Sequence, residues 1–411
     1  MGEFSYGLAM PKRTFLGRVG RVEKVDGRPT VRTSYEIDAI DIANFTRGDR
    51  LAGAPVQAFA LLRVVTTPGR FLEMAGVEPE VGDWLLLDVG PRESTPTREP
   101  WLPMWQAQLG EAGYTQQSRG YVTGAGFVTS DIDPEPRSLG GKAVQGWEAK
   151  RARVISQFPV GAIAQPASVE RALSSIAGIA RVLVRDAGQA SFCSLTDASG
   201  DPLVHFDAGW PVSFNGKSVP ARPLTPLGNA PVILSHWDWD HLHGYHRFPS
   251  LKQRRWIAPV QRLGPGAARV ADELHRARRL QGLQTSVTLP WGDVEVCAGP
   301  VGDLNQTGLA LRVKLADGRS VLLAGDAHYD NAPSLMAAAP YDGLVVTHHG
   351  ANFDGNVPSS VAPGNKAVIS CGRPNTYRHP RKAAIARHTP SWQVERTDSV
   401  GRVPRGDRWL P

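Results

Sequence analysis

The stretch Ser235-His236-Trp237-Asp238-Trp239-Asp240-His241 places four possible metal ligands, His236, Asp238, Asp240 and His241, within six consecutive positions. It follows Pro231-Val232-Ile233-Leu234, a short apolar run that reads as a buried strand. The ligands then sit on the turn leaving that strand's carboxyl end, where open α/β sheets place their sites. A tight turn aims His236 and Asp238 at one ion and Asp240 with His241 at a neighbour. Imidazole and carboxylate together suit zinc, manganese or iron rather than calcium. Tryptophan alternating with aspartate is not the composition of an ordinary solvent loop.

The same spacing resembles the signature of the metallo-β-lactamase superfamily, His-x-His-x-Asp-His. The aspartate at Asp238 resembles the variant in the metallohydrolase domain of ComEC-type competence proteins, which take up DNA. Other stretches agree in the same order. Asp186-Ala187-Gly188-Gln189-Ala190-Ser191 resembles that subgroup's opening strand end, and Phe206-Asp207-Ala208-Gly209 its Ile-Asp-x-Gly element. Leu322-Leu323-Ala324-Gly325-Asp326 resembles the strand that ends in the metal-bridging aspartate. Thr347-His348-His349-Gly350 and Asn375-Thr376-Tyr377-Arg378-His379-Pro380 resemble the His-His-Gly and Asn-x-Tyr-Gly-His-Pro stretches. The resemblance covers residues 180 to 390 and implies an α/β (α+β) fold, an αββα sandwich. Two departures stand out: Ala190-Ser191 replaces Gly-Asp, and Arg378 replaces a glycine. No histidine on a loop supplies the superfamily's further ligand before Asp326; Asn305 resembles the subgroup's asparagine-rich stretch instead.

Two divalent ions, zinc or manganese, are the cofactors this resemblance implies. The expected metal ligands are His236, Asp238, Asp240, His241, Asp326 and one of the adjacent pair, taken as His348. A hydroxide shared between two ions is a strong nucleophile near neutral pH, because metal binding lowers the pKa of water from 15.7 to about 7. The expected catalytic residues are Asp240, His349 and His379, the last a general acid for a leaving alkoxide. Basic residues near the motifs, Arg254, Arg255, Arg378 and Arg381, together with Asn305, are the expected substrate contacts. They suit a phosphodiester or nucleic acid, whose backbone is held by salt-dependent cationic contacts. The expected function is therefore a metal-dependent phosphodiesterase or nuclease. An ester, lactone or thioester hydrolase on the same fold is the alternative, and an inactive metal-stabilised binding protein a third reading.

At 411 residues the chain exceeds one ordinary domain, and 41% apolar with 21% charged residues is globular composition. No run approaches the roughly 20 uninterrupted apolar residues of a membrane helix, so no membrane partner is expected. Met1–Lys24 has no apolar segment of the kind a secretory leader carries, and the three scattered cysteines do not make a disulfide framework. A cytoplasmic location is expected from both. The net charge of +7 permits an anionic partner without requiring one.

Residues 1–175 carry no catalytic constellation and read as a strand-rich accessory domain, able to bind a protein partner. Residues 176–411 read as the hydrolase domain. Within the first part, Val81–Gly90 enters a buried strand, while Pro91–Pro100 and Ser130–Arg137 are turn-rich loops. Within the second, strands are expected at Arg181–Arg185, Pro202–Phe206, Val232–Leu234, Leu344–Val346 and Ala367–Ser370. A hairpin turns at Asp317-Gly318, and helices are expected at Ser168–Ile176, Ala267–Leu280 and Lys382–Arg387.

Overall fold

A computed structural model describes residues 11–25, 32–45, 51–91, 101–130, 147–222, 224 and 226–411. Beyond Pro91 and Ser130, the two loops expected at 91–100 and 130–137 lie outside the described residues. The chain divides into two units, Met1–Gln157 with Arg262–Asp272, and Phe158–Gln261 with Glu273–Pro411.

Period-two burial organises the first unit. Its strands are β1 (Arg13–Val25), β2 (Arg32–Asp41), β3 (Phe59–Thr66), β4 (Asp83–Gly90), β5 (Leu102–Gln108) and β6 (Gln117–Ser130). They close into a barrel in the order β1-β2-β3-β5-β6-β4, which leaves no free sheet edge. Alternate residues fill it: Phe15 and Val19, Tyr35, Ile37 and Ala39, Leu62 and Val64, Leu85, Leu87 and Val89. Gly17 falls between two of these because a Cβ there would lie 2.6 Å from Ile37 Cγ2. Helix α1 (Pro68–Ala75) adds Phe71 and Ala75 to the same core. Helix α2 (Trp147–Ile155) follows the last strand.

The second unit is built on two sheets of seven strands each. Helix α3 (Pro166–Leu173) precedes β7 (Arg181–Val184), β8 (Cys193–Thr196), β9 (Pro202–Phe206) and β10 (Val232–Ile233). Two short helices, α4 (Trp239–Leu242) and α5 (Gly244–Arg247), lead to β11 (Trp256–Pro259) and β12 (Leu280–Leu283), and α6 (Pro265–Arg276), which lies between these strands in sequence, belongs up to Asp272 to the first unit. The second sheet takes β13 (Val287–Leu289), β14 (Gly292–Val296), β15 (Leu309–Lys314), β16 (Ser320–Leu323), β17 (Gly343–Val345), β18 (Lys366–Ile369) and β19 (Gln393–Arg396) in sequence order. Helix α7 (Pro333–Ala337) follows β16, α8 (Lys382–His388) follows β18, and β20 (Arg408–Leu410) returns to pair with β7 on the first sheet.

Alternation again assigns the faces. Leu309, Leu311, Val313, Val321, Leu323, Val345 and Val368 share a core with Val182, Val184, Leu195, Val204, Phe206, Ile233 and Ile257 of the other sheet. The intervening Ala310, Leu322, Leu344, Ala367 and Ile369 pack with Leu335 of α7 and Ala384 of α8. Strands such as β16 are apolar on both faces because both are covered. The result is two stacked sheets with helices outside them, a mixed α/β architecture. Val169 and Leu173 of α3 belong to the sandwich core, so the second unit begins at Phe158 rather than at the expected 175/176 boundary.

Strands β9 to β12 run parallel, as do β16 to β19. The turns leaving β9, β10, β16, β17 and β18 are the ones that carry the histidine and aspartate motifs. Among the described residues, no helix is long and apolar enough to cross a membrane.

Candidate metal centre

The turn after β10 is shaped by its own aspartate. Asp238 is extended and caps α4, its Oδ1 accepting from the Trp239 backbone N–H at 2.7 Å. That capping starts a helical turn at once, which puts Asp240 and His241 on α4 and leaves His236 just ahead of it. The neighbouring turns fit closely around this one. A Cβ on Gly209 would lie 2.0 Å from the Asp240 carbonyl oxygen, and one on Gly325 2.6 Å from Ser235 Cβ. The Ser191 and Ala208 backbone N–H groups donate to the Asp240 and His241 carbonyls, both at 2.9 Å. The glycine-containing stretches around Asp207 and Asp326 thus frame the ligand turn with backbone.

Two clusters of ligand atoms result: His236, His241 and Asp326, and Asp240, His241 and His349, all buried. His241 Nε2 is 2.9 Å from Asp326 Oδ1, and His349 Nε2 is 3.2 Å from Asp240 Oδ2. The remaining nitrogens fix the rings. His241 Nδ1–H donates to Asp207 Oδ2 at 2.7 Å, and His349 Nδ1–H donates to the Ser370 carbonyl at 2.8 Å. In the neutral rings both Nε2 atoms then present lone pairs, and they face each other at 3.2 Å. Such an arrangement requires a proton or a cation between them. His236 Nε2 is buried without a hydrogen-bond partner while its Nδ1 contacts Ser235 Oγ at 3.0 Å. Oriented imidazoles converging on carboxylates are the donor set of a divalent transition-metal site, so these residues fit the ions expected.

Electrostatics agree. Burial pushes the Asp326 carboxyl up, but His241, His348 and His349 outweigh it and hold it well below the usual range. Burial opposes charging His241, yet Asp326 and Asp207 raise it well above an ordinary histidine. His349 is raised the same way, by Asp326 and Asp240 against burial. His236 goes the other way, to about 4, through burial and the neighbouring His241. Asp326 is thus held as a carboxylate facing the imidazoles of His241, His348 and His349.

The expected residues separate on placement. His236, Asp240, His241 and Asp326 come together. His349 occupies the place in the second cluster for which His348 was expected; His348 Nε2 lies 3.5 Å from Asp326 Oδ2. Asp238 is buried but belongs to neither cluster. His379 is buried, its ring centroid 5.5 Å from that of His348, and Asn375 clamps it by accepting its N–H and donating to its carbonyl. Arg378 is exposed beside it, and the Arg381 N–H reaches the Gly350 carbonyl at 2.8 Å. Asn305 lies on a loop tied to the ligand turn through Gln261, which donates to Leu304 and Thr307 and accepts from the Trp237 N–H. Arg254 and Arg255 are not brought to the centre. They precede β11, which runs parallel to β10, so they stand at the amino end of the sheet while His236 follows its carboxyl end.

Sequence reasoning gave Asp207 no role, although its motif was visible. It orients His241 and accepts from the Ser235 N–H at 2.7 Å, in a left-handed backbone with φ 62°. His205 is a packed core residue, and the three cysteines are buried and unpaired with each other.

No protein-family profile and no curated protein matches the chain. Among solved structures, a Cronobacter sakazakii metallo-beta-lactamase described by a HARLDQ motif aligns with 43% of this chain and 68% of its own. The identity is 17% and the TM-score 0.22, a similarity too slight to add to the geometry.

Proposed function

We propose that the sandwich unit is a metal-dependent phosphodiesterase, with nucleic acid as its substrate class. The observation that carries the reading is the pair of buried ligand clusters sharing His241, held at the carboxyl ends of parallel strands. Divalent ions bound there would activate water near neutral pH and neutralise charge growing on phosphorus. The chain's own residues supply the rest. Asp207 and the Ser370 carbonyl hold the His241 and His349 rings with Nε2 forward, and Asp240 and Asp326 supply the carboxylates between them. His379, beside His348, donates a proton to the leaving oxygen. Arg378, exposed next to it, and Arg381 attract backbone phosphates. Resemblance to the ComEC-type metallohydrolase domain favours a nucleic-acid backbone over a carbon-centred ester.

The test is cleavage of labelled single- and double-stranded DNA and RNA with manganese or zinc, with Asp240→Ala in parallel and metal content measured on the same samples. Cleavage that needs metal and is lost in the variant is the expected result. A protein that binds metal yet cleaves none of these, while hydrolysing carboxylic esters, overturns it.

A further inference from the structure

We infer that the sandwich unit carries a second ligand site, for a small phosphorylated molecule, at the end of the first sheet opposite the metal ligands. A cavity of about 390 Å³ opens there between α3 and the amino ends of β11 and β12. Ser168, Arg171, Ala172, Arg255, Arg278 and Gln281 line it. Its size falls within the roughly 300–1,000 Å³ of small-ligand pockets.

The charge of the wall is the first argument. Three of these six residues are arginines and none is acidic. Among the described residues, the side chains of Arg171 and Arg278 make no hydrogen bond or ion pair, and Arg255 reaches only the Ala172 carbonyl, at 3.4 Å. Guanidinium groups gathered around one cavity repel one another unless an anion lies between them. Their planar donor forks match phosphate oxygens, and each stays charged at any ordinary pH.

The second argument is polar and independent of charge. Gln281 Nε2 donates to Ser168 Oγ at 3.0 Å, and its Oε1 is buried without a partner. A ligand hydroxyl can donate to that oxygen, so the class narrows from phosphate to a phosphorylated polyol or nucleotide. Placement of Arg278 adds to this. It ends α6 in the left-handed region at φ 57°, a position that glycine fills at lower cost.

The site does not depend on the metal centre, and the test separates them. The chelator-treated 411-residue chain is titrated calorimetrically with inorganic phosphate and with ribose 5-phosphate. Saturable binding of both is expected, tighter for the sugar phosphate. Arg255→Gln and Arg278→Gln should each weaken it roughly tenfold, with partial recovery in Arg278→Lys. Asp240→Asn should leave it unchanged while abolishing the proposed cleavage. The substituted arginines are exposed, so the variants should melt with the wild type. No binding by the wild type, binding indifferent to the arginines, or binding lost in Asp240→Asn each overturns the inference.

Discussion

Single residues set the state of the rings on which the centre depends. Asp207 contacts His241 only at Nδ1, yet that contact decides which nitrogen carries the proton. In Asp207→Asn the amide can donate, Nδ1 becomes the acceptor, and Nε2–H turns toward the ligand cluster. Metal affinity should fall about 10–100-fold, read by zinc titration against a competing chelator. An unchanged affinity would show that His241 is held by something else. His205 makes a different prediction, about pH. Its Nδ1 contacts Ser194 Oγ, which accepts from buried Arg185, and its Nε2–H donates to the Leu227 carbonyl. Burial lowers it from the ordinary 6.5 to about 4. Between those values the unfolded chain binds a proton that the folded chain refuses. The stability contribution is therefore complete above about pH 6.5 and declines toward pH 4, by about 3 kcal/mol in all. Denaturant titrations across that window should give a shallower pH slope for His205→Gln than for wild type; coincident slopes would assign the proton elsewhere.

At the scale of elements, the turn Thr347–Gly350 is the part that stores strain. His348, His349 and Gly350 are all left-handed, with φ of 49°, 52° and 74°. Non-glycine residues remain there only when surroundings hold them. Thr347 Oγ1–H donates to the Ala327 carbonyl, the Thr347 N–H donates to Tyr329 Oη, and Tyr329 O–H donates to His388 on α8. Tyr329→Phe strands the Thr347 N–H in the interior and should cost about 1–3 kcal/mol by thermal denaturation, with weaker zinc binding through a loosened His349. Full stability with full metal affinity would remove Tyr329 from this role. The same turn shows where sequence reading stops. Spacing identified the pair of histidines, but consecutive left-handed residues aim side chains in ways that neither strand alternation nor helical period describes, so the choice between His348 and His349 was not legible. Elements with clear periodicity were: β9 spans Pro202–Phe206 as read, and the β15–β16 hairpin turns through Gly318 at φ 89°. The helix expected to reach Leu280 stops earlier because Arg278 leaves the helical region, and Leu280 opens β12. Arg254 and Arg255 were near the motif in sequence and a strand's length away in space.

At the scale of the whole molecule, the first unit is assembled from two stretches of chain, Met1–Gln157 and Arg262–Asp272, so its sequence is interrupted by part of the other unit. Asp38 of β2 accepts from the backbone N–H groups of Gly266 and Ala267, at 2.9 and 3.0 Å, and so caps α6 from outside the helix. Arg269 donates to the Ala54 carbonyl at 2.6 Å and lies over the Phe59 ring. Such an interleaved connection means that cutting at the boundary near residue 157 does not release an intact piece. A fragment of residues 158–411 keeps every residue of both ligand clusters but loses the carboxylate that satisfies the first donors of α6. Asp38→Ala in the full chain should cost about 1 kcal/mol, as loss of a helix cap does. The fragment should melt below that variant, because it also loses the Arg269 contacts, while still binding zinc. Circular dichroism melts of the three proteins, with zinc titrations alongside, decide it. A fragment as stable as the full chain would mean that Arg262–Asp272 draws nothing from the barrel and that the two stretches fold as separate pieces.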